Sequence, residues 1–395
     1  MPNDADDNPR ARRPLANDLR GASRLAVDAV TGVSQVVEGL HRSVSGRGTG
    51  LSGLVYRSVR GVAQGVGQGL DAALASLGPL LGATPGGARR EALLAALNGV
   101  LGDHLAESAN PLAIPLQFRQ AGQPVPLEPA ALATALPRAG SGVLLLVHGL
   151  CMNDLQWQRR GHDHGEVLAR ELGLTPLYLH YNSGQHISHN GQALATALQQ
   201  LVQAWPQPVE RLVIVGHSMG GLVARSACHS AEAAGLGWRQ VLRELVFLGT
   251  PHHGAPLERA GNWAQFVAGF SPYALPFTGL ARVRSAGIRD LRHGNLLDSD
   301  WAGIAASDPR DARTPVPLPA GVAAYAVAAT QRSAPARGRP PGDGLVPVDS
   351  ALGRHRNPVF DLGLPTERQW LAQGMNHFDL LSSRAVCEQL LRWLG

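Results

Sequence analysis

The sequence contains no lysine, so all 35 of its Lys and Arg positions are arginines. It has only three cysteines, Cys151, Cys228 and Cys387, which lie far apart in the chain. An odd number of widely spaced cysteines excludes a disulfide framework and favours a reducing, cytoplasmic location. The arginines form no block interleaved with aromatic residues, so the net charge of +5 does not indicate a nucleic-acid partner.

Long hydrophobic runs are absent as well. No window reaches about 18 uninterrupted apolar residues, so the sequence predicts no membrane span, and residues 1–20 contain no apolar stretch for a signal peptide. A Gly-rich phosphate loop and a dinucleotide fingerprint are also missing, so no organic cofactor is expected. With 16% charged and 44% hydrophobic residues, the 395-residue chain can form one large α/β domain with an appended region.

The stretch from Arg211 to Arg225 carries the strongest signal. Residues 212–215 form an apolar run long enough for a buried strand, Gly-His-Ser-Met-Gly follows at 216–220, and helical spacing continues beyond it. A strand, a sharp turn and a helix with G-x-S-x-G at the corner form a nucleophile elbow. Ser218 is therefore the predicted nucleophile, and the N–H of Met219, at the start of the helix, is a predicted oxyanion donor.

A serine nucleophile needs a base that takes its proton and a carboxylate that orients the base. The predicted base is His377, in Gly-Met-Asn-His-Phe-Asp just before a C-terminal helix. The predicted acid is Asp343, which lies between two glycines on a loop after a predicted strand. Asp349 competes for the role of the acid. Serine, acid and histidine then occur in one of the orders known among serine hydrolases.

The apolar strand at 143–147 ends in His148-Gly149-Leu150. The backbone N–H of Leu150 is predicted to form an oxyanion hole together with the N–H of Met219. His148 and His217 are interpreted as structural residues, because each precedes a strained turn and can satisfy buried backbone groups.

Other histidines and one cysteine have both a chemical and a structural interpretation. Their spacing is irregular, so we expect no metal site. Five are interpreted as solvated loop residues: His162, His164, His180, His186 and His189. His252 and His253 are interpreted as structural turn residues, and Cys151 as a packing residue.

Strands alternate with helices through the second half of the chain, which predicts a doubly wound, mainly parallel α/β sheet. Ligand sites in such sheets form beyond the carboxyl ends of the strands, and the predicted site residues lie at such ends. Strands are predicted at 143–147, 176–181, 212–215, 244–248 and 322–328, and helices at 166–172 and 192–205.

Three further regions are predicted. Residues 1–17 are a disordered tail, and residues 18–109 are a helical extension that includes a hairpin over 19–78 and a third helix at 91–107. We expect the hairpin to pack on the main domain; a surface for peripheral membrane binding or self-association is the alternative. Because the predicted catalytic residues all follow position 147, a chain that begins near Leu112 is expected to keep its turnover.

The last region is an insertion at 257–319, which leaves the strand–helix pattern and is rich in large apolar side chains. It is predicted to be a lid that binds an acyl group; ordinary core helices are the alternative. The predicted substrate-binding residues are Trp263, Phe266, Phe270 and Tyr273.

Five ordered motifs together resemble an α/β-hydrolase of the lipase and esterase branch: HGL at 148–150, GHSMGG at 216–221, GTPHHG at 249–254, DGLVP at 343–347 and NHFDLL at 376–381. The combination is similar to bacterial serine esterases related to the catalytic domain of GPI inositol-deacylases, over residues 110–395. The resemblance implies hydrolysis of a small-molecule or lipid ester through an acyl-enzyme, with Ser218, Asp343 and His377 as the triad. An acyltransferase or thioesterase, or a non-catalytic binding protein on the same scaffold, are the alternatives.

Overall fold

The structure is a computed structural model that describes residues 18, 20–25, 87–255, 285–304, 311–333 and 342–395. Within these residues, the strands are β1 (Gln117–Gln120), β2 (Gln123–Pro124), β3 (Gly142–Val147), β4 (Thr175–His180), β5 (Arg211–His217), β6 (Leu242–Leu248), β7 (Ala323–Thr330) and β8 (Gln369–Gln373). They form one sheet in the order β2-β1-β4-β3-β5-β6-β7-β8. β1 pairs antiparallel with β2 and β4, and β3 to β8 are parallel.

The helices of the described residues are α1 (Ala88–Glu107), α2 (Pro129–Ala135), α3 (His164–Leu172), α4 (Ile187–Ala204), α5 (Met219–Ala233), α6 (Ala286–Asp290), α7 (Val348–Ala351) and α8 (Arg384–Leu394). Residues 20–25 are also helical. Short 3₁₀ turns occur at Asp154–Trp157, Gly237–Gln240, Asp298–Asp300, Thr366–Arg368 and Asp379–Leu381. Among these helices, none combines the length and the apolar character that a bilayer span requires.

The central strands are largely buried because both faces of the sheet are covered. All six residues of β3 are buried, and six of the seven residues of β5 are buried, which is typical of parallel strands between two helix layers. Among the helices, α4 packs on α5, and α3 packs on α8. The predicted doubly wound, mainly parallel sheet is confirmed, and the parallel register brings the carboxyl ends of β3, β5, β6, β7 and β8 to one edge.

The segment before the sheet packs against it. Leu93, Leu97 and Leu105 of α1 belong to the hydrophobic core, and Glu91 pairs with Arg119 of β1 at 3.0 Å. Helix α1 starts three residues before the predicted helix at 91–107 and ends with it. It is therefore an integral part of the packed structure.

Residue 18 and residues 20–25 extend this packing. Asp18 and Arg90 form a largely buried ion pair at 2.6 Å, and Ala22 and Leu25 lie in the core. The disordered tail predicted at 1–17 and the hairpin predicted at 19–78 fall, apart from residues 20–25, outside the described residues. The same is true of most of the predicted lid, of which 285–304 and 311–319 are described.

Candidate active site

Ser218 lies at the corner between β5 and α5, with φ 54° and ψ −126°. A non-glycine residue in this left-handed region is strained, and the strain is maintained by close packing on both sides. A Cβ on Gly216 would lie 2.5 Å from the Cα of Gly221, and a Cβ on Gly220 would overlap the carbonyl oxygen of Val147. The glycines of the motif are therefore required by the close approach of β5, α5 and β3.

A buried acid–base pair forms on the loops that follow β7 and β8. The Nδ1 of His377 and the Oδ2 of Asp343 are 2.7 Å apart, and each residue is 1% exposed. The other carboxylate oxygen of Asp343 accepts hydrogen bonds from the N–H groups of Leu345 (2.9 Å) and Val346 (2.8 Å). Because an ionised carboxylate only accepts, the Nδ1 of His377 carries the proton and its Nε2 has the lone pair.

The loop of His377 lies against the corner that carries Ser218. The ring centroids of His377 and His217, the residue before Ser218, are 4.6 Å apart, and His217 Nε2 donates to the backbone oxygen of His377 at 3.2 Å. A Cβ on Gly249, at the end of β6, would lie 3.0 Å from the Nδ1 of His377. The competing acid, Asp349, lies on α7 and lines a surface cavity with Arg354. The structure thus pairs His377 with Asp343.

The loop after β3 lies at the same edge of the sheet as Ser218. The position of a Cβ on Gly149 is 3.0 Å from the Cβ of Ser218, so the peptide that follows, which belongs to Leu150, borders the same space as the start of α5. Tyr181 donates a hydrogen bond to the backbone oxygen of His148 (2.8 Å), and its ring stacks on the His148 ring at 4.3 Å. These contacts fix the loop directly before Leu150.

The other side of this loop is held by residues that the motifs did not identify. The N–H of Cys151 donates to the Oγ of Ser183 at 3.0 Å. Gly99 of α1 packs against the same residue: a Cβ there would overlap Cys151 Sγ and lie 2.9 Å from its backbone nitrogen. A chain that begins near Leu112 would lack α1, the helix that packs behind the loop of Leu150. These contacts therefore argue against the expectation that such a chain keeps its turnover.

Gly99→Ala is expected to reduce kcat. Helix propensity alone would favour alanine by about 1 kcal/mol, but overpacking a buried site costs about 1–3 kcal/mol, so overpacking dominates. The backbone of Cys151 must then move, and with it the adjacent N–H of Leu150, the predicted oxyanion donor. Loss of one such donor costs ~10²–10³-fold in turnover. The measurement is kcat and KM on a soluble ester, together with thermal unfolding.

The matched control for this substitution is Gly237→Ala, where the nearest atom to a new Cβ is 3.8 Å away. It should leave kcat unchanged. A folded Gly99→Ala protein with the kcat of the parent would show that α1 does not position the loop.

Burial removes several neighbouring groups from consideration as bases or nucleophiles. It lowers the pKa of His148 to about 3 and that of His217 well below its usual range, so both rings are neutral near pH 7. Burial also raises the pKa of the Cys151 thiol to about 12, so this residue stays protonated and is a poor nucleophile. These directions agree with the structural interpretation of the three residues.

The interpretation of five histidines as solvated loop residues is wrong for three of them. The side chain of His186 is 12% exposed, and its Nδ1 lies 3.0 Å from a carboxylate oxygen of Asp290. His164 is fully buried and contacts the carbonyl oxygen of Leu380 at 2.8 Å. His180 is 3% exposed, and its Nδ1 lies 3.0 Å from a carboxylate oxygen of Asp154. Their partners are distant in sequence, so the local pattern held no sign of burial. The predicted substrate-binding residues lie outside the described residues: Trp263, Phe266, Phe270 and Tyr273.

The sheet order and the serine corner at the end of β5 define an α/β-hydrolase fold. Residues 139–314, a little under half of the chain, match the family model described as the PGAP1-like alpha/beta domain. The resemblance predicted from the motifs is confirmed over this region. No curated protein sequence matches the chain.

Solved structures with a similar fold include lipases and esterases. The mature lipase BlEst2 of Bacillus licheniformis is 16% identical, with 71% of this chain and 98% of that chain covered and a TM-score of 0.42. The esterase Pf2001 of Pyrococcus furiosus is 12% identical, with 65% and 80% covered and a TM-score of 0.38. A thermophilic esterase of Thermogutta terrifontis is 15% identical, with 71% and 92% covered and a TM-score of 0.37.

Proposed function

We propose that the protein is a serine esterase or lipase that cleaves carboxylic esters with an apolar acyl portion, through an acyl-enzyme on Ser218. The observation that carries the proposal is the buried pair of His377 and Asp343 beside the strained serine corner. A base oriented by a carboxylate next to a strained serine is the arrangement that activates a hydroxyl nucleophile.

In this proposal, the Oγ of Ser218 attacks the ester carbonyl while the Nε2 of His377 takes its proton. Asp343 stabilises the imidazolium, and the amides of Leu150 and Met219 bind the oxyanion. The imidazolium then gives its proton to the leaving alcohol, and the acyl group stays on the Oγ of Ser218. Water then attacks the acyl-enzyme while His377 takes its proton; the imidazolium returns that proton to the Oγ of Ser218 as the acid leaves.

A series of p-nitrophenyl esters of increasing chain length tests the activity. We expect hydrolysis, with a preference for chains longer than acetate because the proposed acyl site is apolar. If folded protein hydrolyses none of the esters in the series, the non-catalytic binding protein is favoured.

An acyltransferase or thioesterase forms the same acyl-enzyme, so the series is repeated with an added alcohol. An acyltransferase would convert most of the acyl group into a new ester, and a hydrolase would release it mainly as free acid.

The hairpin predicted at 19–78 is proposed to be dispensable for chemistry and to pack on the main domain, with peripheral membrane binding or self-association as the alternative. Replacing residues 26–86 by a flexible Gly-Ser linker of about 20 residues keeps residue 18, residues 20–25 and α1, which pack on the core. We expect turnover on a short soluble ester to stay within a few-fold of the parent; loss of binding to lipid vesicles or of self-association in the same variant would favour the alternative. A folded protein in which soluble-ester turnover collapses would place the hairpin in the active site.

A further inference from the structure

Three side chains that the proposed mechanism does not use meet beside the loop of His377. They are His162, His164 and Cys387. One ring nitrogen from each histidine and the sulfur of the cysteine all lie within 4.8 Å of one another. His164 is fully buried and Cys387 is 3% exposed, while His162 is half-buried and gives the cluster access to solvent.

Hydrogen bonds orient the two imidazoles toward each other. The Nε2 of His164 contacts the carbonyl oxygen of Leu380 at 2.8 Å, and a carbonyl only accepts, so the Nδ1 of His164 holds a lone pair. That Nδ1 is 2.8 Å from the Nε2 of His162. A histidine whose second nitrogen donates to a backbone carbonyl is the arrangement usually found for metal ligands.

The residue between the two histidines explains why both point into the cluster. Asp163 is the N-cap of α3: its Oδ1 accepts from the N–H groups of Gly165 and Glu166 and from the hydroxyl of Tyr178. The carboxylate of Asp163 is thus hydrogen-bonded to the start of α3 and to Tyr178 of β4. The histidines on either side of Asp163 face Cys387 of α8.

The sequence spacing predicts no metal site, but Cys387, distant in the chain, adds a third ligand. We propose that His162, His164 and Cys387 form a binding site for a divalent transition-metal ion, for which Zn²⁺ is the best fit. Two imidazole nitrogens and one thiolate are a common zinc ligand set, with water in the fourth position. In a tetrahedral site the ligand atoms are roughly 3.3–3.7 Å apart, given metal–ligand bonds of about 2.0–2.3 Å. The pair of nitrogens must therefore separate slightly, and His162, the most exposed ligand, is the one that moves.

Metal binding changes the protonation of two ligands. The thiol of Cys387 releases its proton to solvent as the metal–sulfur bond forms. The hydrogen bond between His162 and His164 breaks, and His162 takes the tautomer with its proton on Nδ1. The ion would link the start of α3 to α8, and through His164 and Leu380 it would brace the loop that carries His377. Its expected effect is on stability.

Cobalt substitution of the full-length protein tests the site. After removal of metals with a chelator, titration with Co²⁺ should give one equivalent of binding, tetrahedral visible bands and a near-ultraviolet thiolate-to-cobalt band. Zn²⁺ should displace the cobalt and raise the thermal unfolding midpoint. If no thiolate-to-cobalt band forms in the parent protein, the proposal is overturned.

Two variants and two controls assign the ligands. Cys387→Ser should lose the near-ultraviolet band, and His162→Ala should weaken metal affinity by at least 10-fold; both should fold, as checked by circular dichroism. The first control, Cys228→Ser, changes a second buried cysteine. The second, His189→Ala, changes a histidine whose ring centroid lies 5.4 Å from that of His186. Neither control should alter metal binding. A band that persists in Cys387→Ser, or that disappears in Cys228→Ser, would refute the assignment.

Discussion

Ser218→Ala is expected to lower turnover of a soluble ester by roughly 10⁶-fold, the scale of loss when the nucleophile of a catalytic triad is removed. In the proposed mechanism, the hydroxyl of Ser218 is the group that becomes acylated. Without it, His377 has no hydroxyl to deprotonate and no acyl-enzyme can form. Steady-state hydrolysis of a p-nitrophenyl ester measures the effect.

Ser218→Gly separates the loss of chemistry from the backbone strain. Glycine adopts φ 54° without a steric penalty, so this variant should lose the same activity while gaining up to about 1 kcal/mol in the free energy of unfolding. Ser218→Ala keeps the strain and should unfold close to the parent. An active Ser218→Gly protein would contradict the assignment of the nucleophile.

Asp343→Asn is expected to reduce kcat by roughly 10⁴-fold with little change in KM. The Oδ1 of Asp343 accepts from two backbone N–H groups, so the oxygen of asparagine takes that place and its NH₂ group faces His377. An NH₂ group donates, so the Nδ1 of His377 must accept. The proton then moves to Nε2, which can no longer take the proton of Ser218.

Asp349→Asn is the matched control, since it makes the same change in the other candidate carboxylate. We expect a loss of less than 10-fold, because the carboxylate that accepts the hydrogen bond from His377 is that of Asp343. The reverse ranking of the two variants would move the acid to Asp349.

The sequence allowed the central part of the fold and the candidate site to be predicted because their signals are local. The strand before Ser218 is a short apolar run, and its corner needs glycines that appear next to each other in the chain. Asp343 was favoured over Asp349 by its flanking glycines, and Gly342 and Gly344 have φ of 97° and 100°. A backbone conformation that requires glycine can therefore be predicted from a few adjacent residues.

Features that depend on distant contacts were not predicted. Strand β8 is half-polar, and among the described strands it lies at the edge of the sheet beside β7, so its sequence carries no continuous apolar run. The docking of Gly99 on Cys151 joins residues more than 50 positions apart. The burial of His164 likewise depends on Leu380, which follows it by 216 positions.

Fluorophosphonate labelling followed by peptide mapping shows whether Ser218 is the nucleophile, because the probe bonds only to an activated nucleophile. The account predicts one adduct per chain, located on Ser218, whose formation parallels the loss of ester hydrolysis. Asp343→Asn should label far more slowly, and Ser218→Ala should not label. An adduct on another residue, or labelling that persists in Ser218→Ala, would contradict the account.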